Sequence, residues 1–389
     1  MSTDLVPTVF ADDVVRQARA MLQEAWVLYE SNHNVLAAAA YERAAHAAEV
    51  VRCDDIEATA RFWQGVSLHG AGRLREALAA LAPIASGRLQ PANGDRPIHM
   101  GITRYVLIAV DLPLGLDVIE RAIREAELLE SHTGKQRRAR LLLVRARLAA
   151  SRGQFTDAIR HALDGLQRAS ADGDAFARTA YFKEATRACL RIGNITEARR
   201  LIDEWANVRD PFTISRRTMC ATHASIADRL DGDIEGAVAR ARAAIRAAAG
   251  SEDCHDRIYT VDALVRALLC SPATEECRVP LAKMMEHRHA EVGLHRYMVR
   301  LLAADYQLAL ARHCGGLHAL DPESGTSFPV TAARPDSHRA LALARRARRA
   351  YASAARVGSD LDRLLRCDTR TRELDARLAL LDATERVLA

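Results

Sequence analysis

The stretch GAGRLREALAALAPI, Gly70–Ile84, places Gly72 five residues ahead of Ala77, an alanine that opens an apolar run. The same step recurs in RGQFTDAIRHAL from Arg152, IGNITEARRLI from Ile192 and LDGDIEGAVARA from Leu230, with glycines at Gly153, Gly193 and Gly232. The separations, about 81, 40 and 39 residues, imply a period near 40 with one degenerate copy after Gly72. That copy is DLPLGLDVIERAI, with Pro113 in the turn. One period back from Gly72 lies Asn32 in SNHNVLAAAAYERAA, and one period on from Gly232 lies Pro272 in SPATEECRVPLAKMM. Gly and Asn tolerate left-handed backbone, and Pro cannot continue a preceding helix. Asn32, Gly72, Gly153, Gly193, Gly232 and Pro272 therefore read as corners between paired helices.

Small residues flank these corners, seven before and five after: Ala25 and Ala37, Gly65 and Ala77, Ala146 and Ala158, Thr186 and Ala198, Ser225 and Ala237. Small side chains on both partners of an antiparallel pair let the two axes approach closely. This pattern resembles the tetratricopeptide repeat, over roughly Met21 to Met285 and most clearly from Arg61 onward. The spacing exceeds the ~34 residues of that family, and the regular closing proline is missing. The resemblance implies an all-α fold, an α-solenoid of antiparallel helix hairpins.

Residues 1–314 form the expected repeat array. Residues 315–337, GGLHALDPESGTSFPVTAARPDS, switch to Gly, Pro, Ser and Thr and read as a loop or linker. Residues 338–389 read as a C-terminal capping hairpin, split near Gly358, with Leu364, Leu365, Leu374, Leu378 and Leu381 as its apolar stripe.

Composition narrows the class further. The 389 residues are 49% hydrophobic but only 5% aromatic, and the net charge of +5 is mild for this length. The eight cysteines show no CxxC pair, and MSTDLVPTVF has no signal-like apolar core, so reduced thiols in a cytoplasm are expected. Arginines or carboxylates interrupt every long apolar run, which argues against a membrane partner.

Chemistry-bearing motifs are sparse. SHTGKQRR around Lys135 lacks the leading glycine of a phosphate loop. The cluster EHRHAEVGLH holds Glu286, His287, His289, Glu291 and His295, but His287 and His289 face different sides of a helix. No catalytic residues, metal ligands or cofactors are expected, and the chain reads as a non-enzyme.

What the repeat resemblance implies is a concave face lined from the first helix of each hairpin. Counting back from the corners places Trp26, Tyr29 and Phe62 at one end. Arg140, Arg147, Lys183, Arg187, Arg229 and Arg266 follow from successive hairpins. Guanidinium groups hold carboxylates bidentately, so this ladder suits an acidic protein or peptide segment. The expected role is a scaffold or adaptor. The alternatives are a regulatory sensor subunit for a signalling peptide or small ligand, and a nucleic-acid binder using basic faces such as Arg345, Arg346 and Arg349.

Overall fold

The computed structural model describes residues 8–89, 96–112, 114–133, 138–208, 213–323, 327–328 and 335–389. Among these residues the architecture is helical. In chain order the helices are α1 (Thr8–Glu30), α2 (Asn34–Val50), α3 (Asp54–Gly70), α4 (Leu74–Ala85), α5 (Arg96–Asp111) and α6 (Leu116–Thr133). They continue with α7 (Arg138–Ser151), α8 (Phe155–Ala171), α9 (Ala175–Arg191), α10 (Ile195–Ala206), α11 (Thr213–Leu230) and α12 (Ile234–Ala247). The last are α13 (Cys254–Leu269), α14 (Arg278–Met285), α15 (Gly293–Cys314), α16 (Ser337–Leu365) and α17 (Thr369–Leu388). Inside the expected loop, β1 (Ala319–Leu320) pairs antiparallel with β2 (Ser327–Phe328).

The chain forms two compact units. One comprises Met1–Val144 with Gly250–His255, the other Arg145–Ala249 with Asp256–Ala389.

The corners explain the helix pairing. Gly72, Gly153, Gly193 and Gly232 all have φ between +75° and +87°, and Asn32 reaches φ +59°. At Gly72 the amide donates to the His69 carbonyl and the Arg73 amide to the Leu68 carbonyl, at 3.0 and 2.9 Å. This pair of bonds satisfies carbonyls that a helix end leaves orphaned. The same pair recurs at Asn32, Gly153, Gly193 and Gly232. Side chains of Asn194 and Asp233 then accept from the first turns of α10 and α12.

Two expected corners differ. Pro113 lies outside the described residues, and Gly115, at φ +97°, supplies the left-handed turn between α5 and α6. Pro272 sits in a bend without positive φ, where the Ser271 hydroxyl accepts from the Ala273 amide at 3.1 Å. The helix after it is a 3-10 turn followed by the eight-residue α14, because Pro280 cannot donate within a longer helix.

All ten small positions flanking the glycine and asparagine corners are buried. A Cβ on Gly65 would stand 2.6 Å from the Leu81 side chain, so α3 and α4 approach as closely as a glycine permits. In the second unit Ala149, Ala158 and Ala188 bring α7, α8 and α9 together.

The C-terminal hairpin turns later than expected. Gly358 does not break α16, which runs on to Leu365 and turns at Arg366 with φ +50°. Gly358 is needed for contact instead, since a Cβ there would press on Tyr297 at 3.0 Å. Leu365, Leu374 and Leu381 enter the core with α15, whereas Leu364 faces outward at 36% exposure.

Gly153→Ala is expected to destabilise more than Gly193→Ala. Both glycines sit at φ +75°, where an L side chain costs roughly 1–2 kcal/mol. A Cβ at Gly153 would also collide with Thr369, whose hydroxyl donates to the Arg152 carbonyl at 2.8 Å, whereas one at Gly193 meets nothing within 4 Å. Thermal denaturation checks the order; equal losses in Tm would mean that Thr369 does not seat on that corner.

Candidate partner-binding site

In the second unit, four of the cations expected from sequence, Arg147, Arg187, Arg229 and Arg266, pair with acids of the chain itself. Arg147 of α7 and Arg187 of α9 both reach Glu184, at 3.2 and 2.8 Å. Glu184 is only 3% exposed, three residues before Arg187 on the same helix. Arg187 also donates to the Tyr259 hydroxyl at 3.2 Å, and the Lys183 ammonium lies 5.8 Å from the centre of that ring. A cation over an aromatic face is attracted by the ring quadrupole. Arg140 lies on α7, but its side chain is outside the described residues.

Further along, Arg229 of α11 is 2% exposed and Arg266 of α13 is 6% exposed. Two residues of the 315–337 segment cover them. Arg229 pairs with Asp321 and, at 2.6 Å, with Glu323. Arg266 pairs with Asp262 of its own helix at 2.9 Å and lies 3.8 Å from Glu323. Arg191 of α9 completes the cradle with a 2.9 Å contact to Glu323. The expectation that Arg229 and Arg266 are open lining is therefore corrected: an acidic stretch of the same chain lies on them.

Electrostatics follow the geometry. Burial alone would raise the Glu323 carboxyl, but Arg266, Arg229, Arg191 and Arg377 outweigh it and hold the group well below the usual carboxylate range. Behind this cradle, Arg377 pairs with Asp305 at 3.1 Å and with Glu373 at 3.4 Å. The Tyr351 hydroxyl donates to Asp305 at 2.7 Å, and the Tyr297 hydroxyl to Glu373 at 2.9 Å. His223 of α11 is buried, and burial together with Lys183 and Arg187 pushes it down to about 3.

In the first unit Trp26 and Tyr29 meet Trp63, with centroids 4.8 and 5.2 Å apart. Phe62 is buried at 3% exposure, and its ring centroid lies 5.0 Å from that of the partly buried Trp63. Sequence spacing did not single out Trp63. It also missed Glu184, Arg191, Asp321 and Glu323; Glu184 alone had a signal, its three-residue step to Arg187.

Other chemistry is limited. The histidine-rich stretch splits into an exposed 3-10 turn, Glu286–His289, and His295 buried within α15. The first unit instead brings His69, Asp111 and His255 together, with one ligand-type atom of each within 4.8 Å of the others. Arg104 stands 3.2 Å from His69 Nδ1 and Asp111 2.9 Å from Nε2. An arginine only donates, so Nδ1 accepts and Nε2–H donates to Asp111; both ring nitrogens are spent inside the protein. Burial raises the Cys189 and Cys277 thiols to about 11 and about 12, which leaves little nucleophilic thiolate. A pocket of about 570 Å³ opens between α8, α9 and α10, lined among others by Leu163, Leu166, Phe182 and Val208. Among the described residues no helix is long and apolar enough to cross a membrane.

No family model and no curated protein matches this sequence. Among solved structures, the chain is similar to a Rap protein complexed with competence and sporulation factor. The TM-score is 0.52 at 10% identity, over 96% of this chain and 98% of that one. With consecutive helices packed in pairs, the chain has a TPR-like helical-repeat fold.

Two outcomes test this description. Arg229→Met leaves Asp321 and Glu323 against an apolar side chain, and should cost about 3–5 kcal/mol of stability in chemical denaturation. His223 stays neutral in the fold and titrates near 6.5 when unfolded, so acid stabilises the unfolded chain. From pH 6 toward pH 4 stability should fall by about 1.4 kcal/mol per unit through this group. His223→Gln should flatten that slope, and identical slopes would place the ring in water.

Proposed function

We infer that the chain is a non-enzymatic binding protein that holds an acidic segment of a partner protein or peptide against the first helices of its second unit. One observation carries this reading. Arg147 of α7 and Arg187 of α9 meet at the buried carboxylate of Glu184, and Arg187 and Lys183 both lie against Tyr259. Positive charge from two helices is thus concentrated where an incoming carboxylate would bind. Arg187 and Arg147 keep 20% and 11% of their side chains exposed, and a guanidinium fork matches a carboxylate's two oxygens. Tyr259 adds apolar area next to the charge.

The fold supports the same reading. Paired helices stacked along the chain offer surface in proportion to length and enclose little chemistry. The structure it resembles was solved with a factor bound.

Affinity capture from native cells tests the proposal. The triple variant Arg147→Glu, Lys183→Glu, Arg187→Glu should lose a partner that the unaltered chain retains, with its helical circular dichroism kept. Capture should also weaken as salt rises from about 0.1 to 0.5 M, since exposed charges are screened beyond a few ångströms there. Equal recovery by the charge-reversed protein would end this reading.

A further inference from the structure

The acidic stretch on Arg229 and Arg266 has a compact chemistry. Asp321 and Glu323 are two residues apart, with Pro322 between them. The Glu323 amide donates to an Asp321 carboxylate oxygen at 3.0 Å, a local turn that brings both acids to one side. Three arginines from three different helices receive them: Arg191 of α9, Arg229 of α11 and Arg266 of α13. Helices α9, α11 and α13 are those on which sequence register had placed a cationic lining. The chain thus carries its own ligand on that lining.

We propose that the Arg191, Arg229 and Arg266 cradle is a recognition site for an Asp-x-Glu element, filled at rest by Asp321-Pro322-Glu323 and opened when a partner segment bearing the same element displaces it. This rests on the reading above and deepens it, by naming the motif in the guest and what the guest must evict. An exchange of acid for acid is the step the site permits. Removing the internal acids without replacement takes from the buried Arg229 both carboxylates it pairs with, whereas a guest that supplies two carboxylates restores each contact as it breaks one. Arg147 on α7, and Lys183 and Arg187 earlier on α9 than Arg191, give an entering acidic segment its first contacts before exchange begins.

The tethered copy sets the strength of the block. A ligand on a short linker competes at an effective concentration in the millimolar range, so a short free peptide binds the unaltered chain weakly. A partner overcomes this only through its added contacts. Weakening the internal copy lowers that barrier, and Glu323→Gln does so while leaving the Asp321 to Arg229 pair in place.

The test uses the full chain and a fluorescein-labelled peptide of its own sequence, Ala-Leu-Asp-Pro-Glu-Ser-Gly, in anisotropy titrations. The Glu323→Gln protein should bind it at least tenfold more tightly than the unaltered protein. The same peptide with both carboxylates converted to amides should bind neither. Hydrogen exchange on the unaltered chain gives a second readout that needs no variant: saturating peptide should raise exchange at residues 319–323 and leave α9, α11 and α13 protected. Equal affinity of both proteins for the peptide, binding of the amide peptide, or unchanged exchange at 319–323 under saturation would each overturn the proposal. Any of these results leaves the charge-reversal capture experiment to stand or fall separately, because that variant does not touch the cradle.

Discussion

The hairpins that turn at Asn32, Gly72, Gly153, Gly193 and Gly232 depend on two helix backbones coming so close that only Gly, Ala, Ser or Thr fits between them. Gly65 against Leu81 is one such case, and Ser225 goes further by donating to the Ala237 carbonyl across the crossing at 2.7 Å. Such closeness requires a short connection, and a short connection between antiparallel helices requires a residue in the left-handed region. Gly72, Gly153, Gly193 and Gly232 meet that need without a Cβ penalty, and Asn32 meets it as the side chain that tolerates it best. Once corner and crossing are fixed, so is the rotation of each first helix, and with it the side chains that it presents away from the crossing.

That fixed register has an electrostatic consequence. Arginines placed on successive first helices stand close together, and a buried guanidinium without a partner is costly. The chain resolves the conflict in two ways. Around Arg147 and Arg187 it buries one acid, Glu184, on the same helix. Around Arg229 and Arg266 it brings acids from about 90 residues downstream of Arg229, which couples the 315–337 segment to α11 and α13. Arg191 reaches both Glu323 and Glu373, so α17 belongs to the same charge network. The C-terminal hairpin therefore supports the site as well as closing the core.

The corners and crossings were legible in the sequence because their causes are local: a glycine's φ and an alanine's size act within a dozen residues. The positions of Arg147, Lys183, Arg187, Arg229 and Arg266 followed from the same register. What covers them did not. LDPES sits in a stretch rich in Gly, Pro and Ser, and nothing in such a composition says which helices it returns to, because that contact spans the chain. Gly358 misled for a related reason. A glycine within a helical pattern reads as a break, yet here it serves the approach of Tyr297 and the helix continues.

The two halves of the cationic row differ in what they can do with a guest. Around Glu184, Arg147 and Arg187 keep part of their side chains in water, so a guest carboxylate can add to the site. Around Glu323, Arg229 and Arg266 are closed off. Among the described residues Arg191, Arg229, Arg266 and Arg377 face Asp262, Asp305, Asp321, Glu323 and Glu373. Arg229 and Arg266 are already buried against carboxylates, and a further carboxylate would meet those acids in a place where water screens poorly. An acid reaches these arginines by taking another's place, and the acids that can leave are those on the chain segment rather than those rooted in α13, α15 and α17. The distinction between adding and exchanging thus follows from burial, and it assigns the first contact to Arg147, Lys183 and Arg187 and the selective one to Arg191, Arg229 and Arg266.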